Sequence, residues 1–153
     1  MKTRRFSGAI NYKNPKMEYT KLGLIQNSDI NDQMIAIVDE KIGCRLPESY
    51  YELMRFNNEP EPEACEFDYG GQTTCVSEFF RFTDDENYEY GILAYLPSLS
   101  GVAEQLVPIG RDPEDYLICL DRNQDFAVVL LDRNNNLLHF VARDFDEFLR
   151  SLR

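Results

Sequence analysis

Residues 106–121 read LVPIGRDPEDYLICLD, and residues 140–152 read FVARDFDEFLRSL. The first stretch is a short apolar segment, a polar turn and a second apolar segment ending at Asp121, the pattern of a strand pair. The second runs a strand straight into a helix. Asp144-Phe-Asp-Glu147 has the spacing of a capping box, with Asp144 as N-cap and Glu147 reaching back. Phe145, Phe148, Leu149 and Leu152 then recur at i, i+3, i+4 and i+7, one apolar stripe. A stripe of that composition is core, not a cofactor box.

Working outward, Leu106–Ile109, Tyr116–Leu120, Phe126–Leu131 and Leu137–Ala142 are successive strand-sized runs. Polar turns at 111–114, 122–125 and 133–136 separate them, which predicts an antiparallel meander. Phe126–Leu131 is apolar at every position and is expected to be a central strand covered on both sides. Further upstream, Ser28 is the expected N-cap of a helix carrying Met34, Ile37, Val38 and Ile42, with Gly43 as its stop. Leu46-Pro47 restarts the chain into a second helix with Tyr50, Leu53 and Met54 on one face, ended by Asn57-Asn58. Cys65–Tyr69 and Thr74–Phe82 read as strands around Gly70-Gly71. The segment 87–99 reads as a helix on Tyr90, Leu93 and Ala94, although its aromatics also allow a strand. One short strand is expected near Tyr19–Leu24.

The whole is α+β: an N-terminal helix pair, a central, mostly antiparallel sheet and a C-terminal amphipathic helix. With 153 residues, the expected organisation is a polar, partly ordered arm over residues 1–27 and a single domain over 28–153.

Charge narrows the function classes. The net charge is −11 and the pI near 4.5, so the overall field repels nucleic-acid phosphates and anionic membranes. Direct nucleic-acid or membrane binding is not expected. Acidity aids solubility, and it also complements a basic partner. Lys2, Arg4, Arg5, Lys13, Lys16 and Lys21 crowd the start, but no apolar run follows them, so no signal peptide is read and the expected location is cytoplasmic. Cys44, Cys65, Cys75 and Cys119 form no C-x-x-C pair, and His139 is the single histidine. No metal site or cofactor is expected, and free, mostly buried thiols are the reading.

No phosphate-cradling glycine loop, dinucleotide fingerprint or nucleophile elbow occurs. A Cys119–His139 pair is conceivable only if neighbouring strands bring the two together. Carboxylate pairs sit in nearly every turn, where capping and turn chemistry account for them. The expected function is therefore not enzymatic. Two acidic segments offer a recognition surface instead. Glu61, Glu63, Glu66 and Asp68, with Glu59, make the first; Asp84, Asp85, Glu86 and Glu89, with Tyr88 and Tyr90, make the second. Carboxylates steer a basic protein and accept arginine, while tyrosines add contact area.

The order Ile42-Gly43-x-x-Leu46-Pro47-x-Ser49-Tyr50, Leu106-x-Pro108-Ile109-Gly110-x-Asp112, Leu117-Ile-Cys-Leu-Asp121 and Val141-Ala-x-x-Phe145-x-Glu147-Phe-Leu149 resembles the SUKH superfamily. That group includes the fungal Smi/Knr cell-wall regulators and many bacterial immunity proteins. The resemblance covers residues 28–152. It implies a non-catalytic protein-binding domain, for bacterial members one that neutralises a cognate toxin domain, often a nuclease. The alternative it leaves is a regulatory scaffold of the cell-wall-synthesis type, and a monomer or homodimer fits either. Two turns depart from the family pattern. Asn57-Asn58-Glu59 stands where members often carry Asn-Gly-Gly, and Pro113-Glu114-Asp115 where they tend to have glycine.

Overall fold

In the computed structural model, residues 16–153 are described; of the arm expected over 1–27, residues 1–15 lie outside the described residues. Three helices and two antiparallel sheets make a mixed α+β architecture. Helix α1 spans Asp32–Ile42 and buries Ile35, Val38 and Ile42, one face by their spacing. Gly43 ends it in the left-handed conformation (φ 92°) and returns its N–H to Asp39. The N-cap is Asn31, not Ser28. Asn31 accepts from the Met34 N–H at 2.9 Å, whereas the Ser28 hydroxyl donates to the Met54 carbonyl at 2.6 Å.

Helix α2, Glu48–Phe56, has Pro47 at its N-cap and buries Tyr50, Tyr51, Leu53 and Met54. Next come β1 (Glu66–Tyr69) and β2 (Gln72–Cys75), a two-stranded hairpin around Gly70-Gly71. The long strand expected over 74–82 is broken, because the chain changes partner between two adjacent residues. The Val76 N–H bonds to Cys65 at 2.8 Å, and the Ser77 N–H to Arg111 at 2.9 Å. Only β3, Glu78–Phe79, joins the main sheet.

That sheet is the expected meander, in the order β3-β4-β5-β6-β7, with β4 at Leu106–Arg111, β5 at Leu117–Asp121, β6 at Ala127–Asp132 and β7 at Leu137–Ala142. Every residue of β5 and β6 is buried. The expectation of a strand covered on both faces holds for β6, although the middle position belongs to β5. Helix α3, Phe145–Ser151, is capped by Asp144, which accepts from Glu147 at 2.8 Å while Glu147 accepts from Arg143 at 2.9 Å.

Phe79 and Phe80 follow each other in the chain and so point to opposite faces. Phe79 meets Phe145 and Phe148 of α3 with ring centroids 6.2 and 6.3 Å away, and Phe67 of β1 closes on Phe148 at 5.1 Å. Phe80 stacks flat on Tyr95 at 4.2 Å. The second face is thus covered by the segment 83–103, which is not the expected helix. Its backbone groups pair with Arg81 (Arg81 N–H to Tyr90, Ile92 N–H to Arg81), and only Leu96–Leu99 makes a 3-10 turn. Tyr19–Leu22 is likewise a 3-10 turn rather than a strand, with Tyr19 and Leu22 buried.

Candidate functional site

The two acidic segments meet through one hydrogen bond. Between residues 57 and 90 Arg81 is the single cation, and it leaves the sheet beyond β3. Its guanidinium reaches Asp29 at 3.1 Å and Glu59 at 3.4 Å and lies 5.5 Å from the centre of the Tyr88 ring. The Tyr88 hydroxyl donates to Glu59 at 2.6 Å, tying the second acidic segment to the first. That contact, with burial second, pushes the Tyr88 hydroxyl pKa up. The lone cation is thus shared by two carboxylates under an aromatic lid, and the cluster keeps an excess of negative charge.

The floor of this cluster is built by Asn57 and Asn58, at the departure from the family's Asn-Gly-Gly. Both are buried. Asn58 donates to Asp29 at 2.7 Å and to the Phe82 carbonyl at 3.1 Å, and Asn57 donates to Ile25 and accepts from Glu59. The asparagines fasten α2's end to residues 25–29 and to Phe82, and a cleft of about 460 Å³ opens between them, lined also by Glu61 and Ile25. Asp29 and Arg81 were not singled out in the sequence. Nothing local marks Asp29, which lies far from both acidic segments in the chain.

The remaining expected site residues lie at separate places. Glu63 is exposed, and its side chain fills the space beside Gly23. Glu66 and Asp68 stand on β1 beside Arg153, at 4.0 and 2.8 Å, and Asp68 also accepts from Thr73 at 2.7 Å. The Arg153 contact first, then Thr73, holds the Asp68 carboxyl below the ordinary range. Asp84, Asp85, Glu86 and Glu89 are all exposed. Asp85 closes a turn on the Asn87 N–H, and Glu86 pairs with Lys41 of α1 at 2.5 Å. Tyr90 is half-buried under the Arg111 guanidinium, 5.0 Å from ring centre. Of the ten expected residues, Glu61 and Tyr88 thus share the cluster around Arg81.

Strand register separates Cys119 from His139. His139 aligns with Leu130 and through it with Ile118, while Cys119 aligns with Val129. Alternation puts the thiol and the imidazole on opposite faces. Cys119 is fully buried, and burial raises its thiol pKa; the ring of His139 packs on Tyr69 at 5.1 Å. Among the described residues no group of three or more His, Cys, Asp or Glu side chains is placed to hold a metal ion. No helix of the described residues is long and apolar enough to cross a membrane.

Asp115 occupies the second family departure. It takes a left-handed backbone (φ 66°), a conformation glycine adopts without strain and aspartate tolerates. A glycine at this position would meet no backbone strain. A family model described as the SMI1 / KNR4 family (SUKH-1) matches residues 29–151. No curated protein matches the chain.

Proposed function

The chain belongs to the SMI1 / KNR4 family (SUKH-1), and on that premise we propose that it is a non-catalytic protein-binding domain. We read it as a bacterial immunity protein that captures a cognate basic toxin domain of the nuclease type through an acidic surface. The observation that carries this reading is the Tyr88–Glu59 hydrogen bond, which unites the two acidic segments around one neutralised arginine. Nuclease sites are rimmed with lysine and arginine to hold phosphate, so such a surface competes with nucleic acid for the same charges. Tyr88 and the apolar wall at Ile25 supply contact area beside the carboxylates.

A second reading, a regulatory scaffold of the cell-wall-synthesis type, is favoured by the family description itself. The two readings differ in the partner. Tagged protein used to capture partners from lysate of the source cells, at low and high salt, separates them. Immunity expects a basic nucleic-acid-cleaving protein, weakened in binding as salt rises and inhibited by stoichiometric amounts of this chain. A cell-wall or signalling component held at both salt concentrations would replace the immunity reading with the scaffold.

A further inference from the structure

Among the described residues, strand β7 presents an edge without a charged side chain of its own, with the Tyr69 ring of the β1–β2 hairpin packed on His139 from one face. The strand ends the sheet and, among the described residues, pairs only with β6. Its residues, Leu-Leu-His-Phe-Val-Ala, include no carboxylate, lysine, arginine or proline, the devices that usually blunt an edge. Leu137, Leu138 and Phe140 are 51%, 41% and 59% exposed, three large apolar side chains within four residues. A bulge sits at the far end: Ala142 aligns with Val128 and Phe140 with Val129, leaving Val141 extra. Leu137–Phe140 is therefore the regular, pairing-competent part. Leu138 and Phe140 lie on one face, across from the buried Leu131 and Val129.

We infer that this edge pairs with β7 of a second copy of the chain, extending the five-stranded sheet across a two-fold axis. The occupant follows from charge. A basic partner is drawn to the carboxylate-rich surfaces, and a neutral edge offers it nothing comparable. Two copies each carrying −11 repel over most of their surfaces and meet least repulsion along a strand that has no carboxylate of its own. Antiparallel pairing of one strand with itself uses a single self-complementary patch and closes as a dimer. The two-fold axis must stand perpendicular to the sheet, so residues opposite one another share a face. Centring it on His139 sets Leu138 against Phe140 of the second copy, and Phe140 against its Leu138. Both exposed pairs are then covered at once. This arrangement leaves the cluster around Arg81 out of the pairing, so it stands independently of the toxin-binding reading.

Sedimentation or light scattering across protein concentration tests the inference, carried to about 1 mM because a small edge interface is weak. The mass is expected to rise from 17.9 kDa towards twice that, and to rise further when salt screens the repulsion between like-charged copies. Phe140→Lys and Leu138→Lys each place a charge on the edge and should remain monomeric throughout, with circular dichroism unchanged from the parent. A constant 17.9 kDa mass in all salts overturns the inference. So does association that survives both substitutions. If the lysine variants lose capture of a foreign protein while the parent never self-associates, the edge serves a partner's strand and the second copy is ruled out.

Discussion

Asp112, Asp121 and Asp132 are buried carboxylates that follow or end β4, β5 and β6. Each folds a turn back on itself. Asp112 accepts from the N–H groups of Glu114 and Tyr116 and from the Thr74 hydroxyl, all at 2.9 Å. Asp121 accepts from Asn123 and Gln124, and Asp132 from Asn134 and Asn135. Buried acceptors with charge-assisted bonds are costly to delete, so Asp112→Ala should lower unfolding free energy in urea by about 3 kcal/mol. Hydrogen bonds from Asn135 first hold the Asp132 carboxyl below the ordinary range, as Arg153 does for Asp68. A carboxyl depressed in the folded state contributes stability above its unfolded pKa and loses it as pH falls through the folded value. Thermal stability should therefore decline as pH drops below about 4, and Asp132→Asn should flatten part of that decline. A melting temperature unchanged down to pH 3 would remove these carboxylates from the account. Tyr50 makes the opposite case: it is fully buried, and its hydroxyl meets no hydrogen-bond partner among the described residues. Tyr50→Phe keeps the ring against Phe145 and should leave stability equal or higher by roughly 1 kcal/mol.

Helix α3 shows how an element is specified. Its cap is local, and its stripe is matched by Phe67, Phe79 and Tyr50 from three other elements. Phe148→Ala removes a fully buried ring from the centre of that cluster and should cost about 3–5 kcal/mol in denaturant unfolding. The junction of β3 and β4 is narrower still. A Cβ on Gly110 would lie 2.6 Å from the Glu78 carbonyl oxygen, so Gly110→Ala should detach β3, read as faster amide exchange at Phe80. These elements were legible in the sequence because their signals are local: period 3.6 in α1, α2 and α3, polar turns between β4, β5, β6 and β7, the Gly43 stop of α1 and the capping box of α3, whereas the N-cap of α1 falls at Asn31 rather than Ser28. The segment 83–103 was not, since its apolar residues serve the sheet's second face while its backbone bonds to Arg81. The break at Val76–Ser77 was equally invisible. Two sheets compete there for one continuous β-like run, and only the fold decides between them.

At the scale of the molecule, the architecture and the family were readable, because the order of loosely specified motifs survives changes in single turns. Asp115 illustrates this: the residue differs from the family's glycine, yet it takes a left-handed backbone that glycine adopts without strain. The candidate site was readable only in part. Acidic segments show in any composition profile, but the contact that joins them runs from Tyr88 to Glu59 and draws in Asp29, which no spacing rule reaches. The account's central claim is that this surface recruits its partner by charge. It is tested most directly by the association rate constant with the captured partner as a function of ionic strength, for the parent and for a chain carrying Glu61→Lys beside the Arg81 cluster together with Asp84→Lys and Asp85→Lys in the segment that Tyr88 joins to it. Electrostatic capture predicts a parent rate that falls steeply with salt, a slower variant at low salt, and convergence of the two at high salt. Equal rates for parent and variant, indifferent to salt, would contradict it.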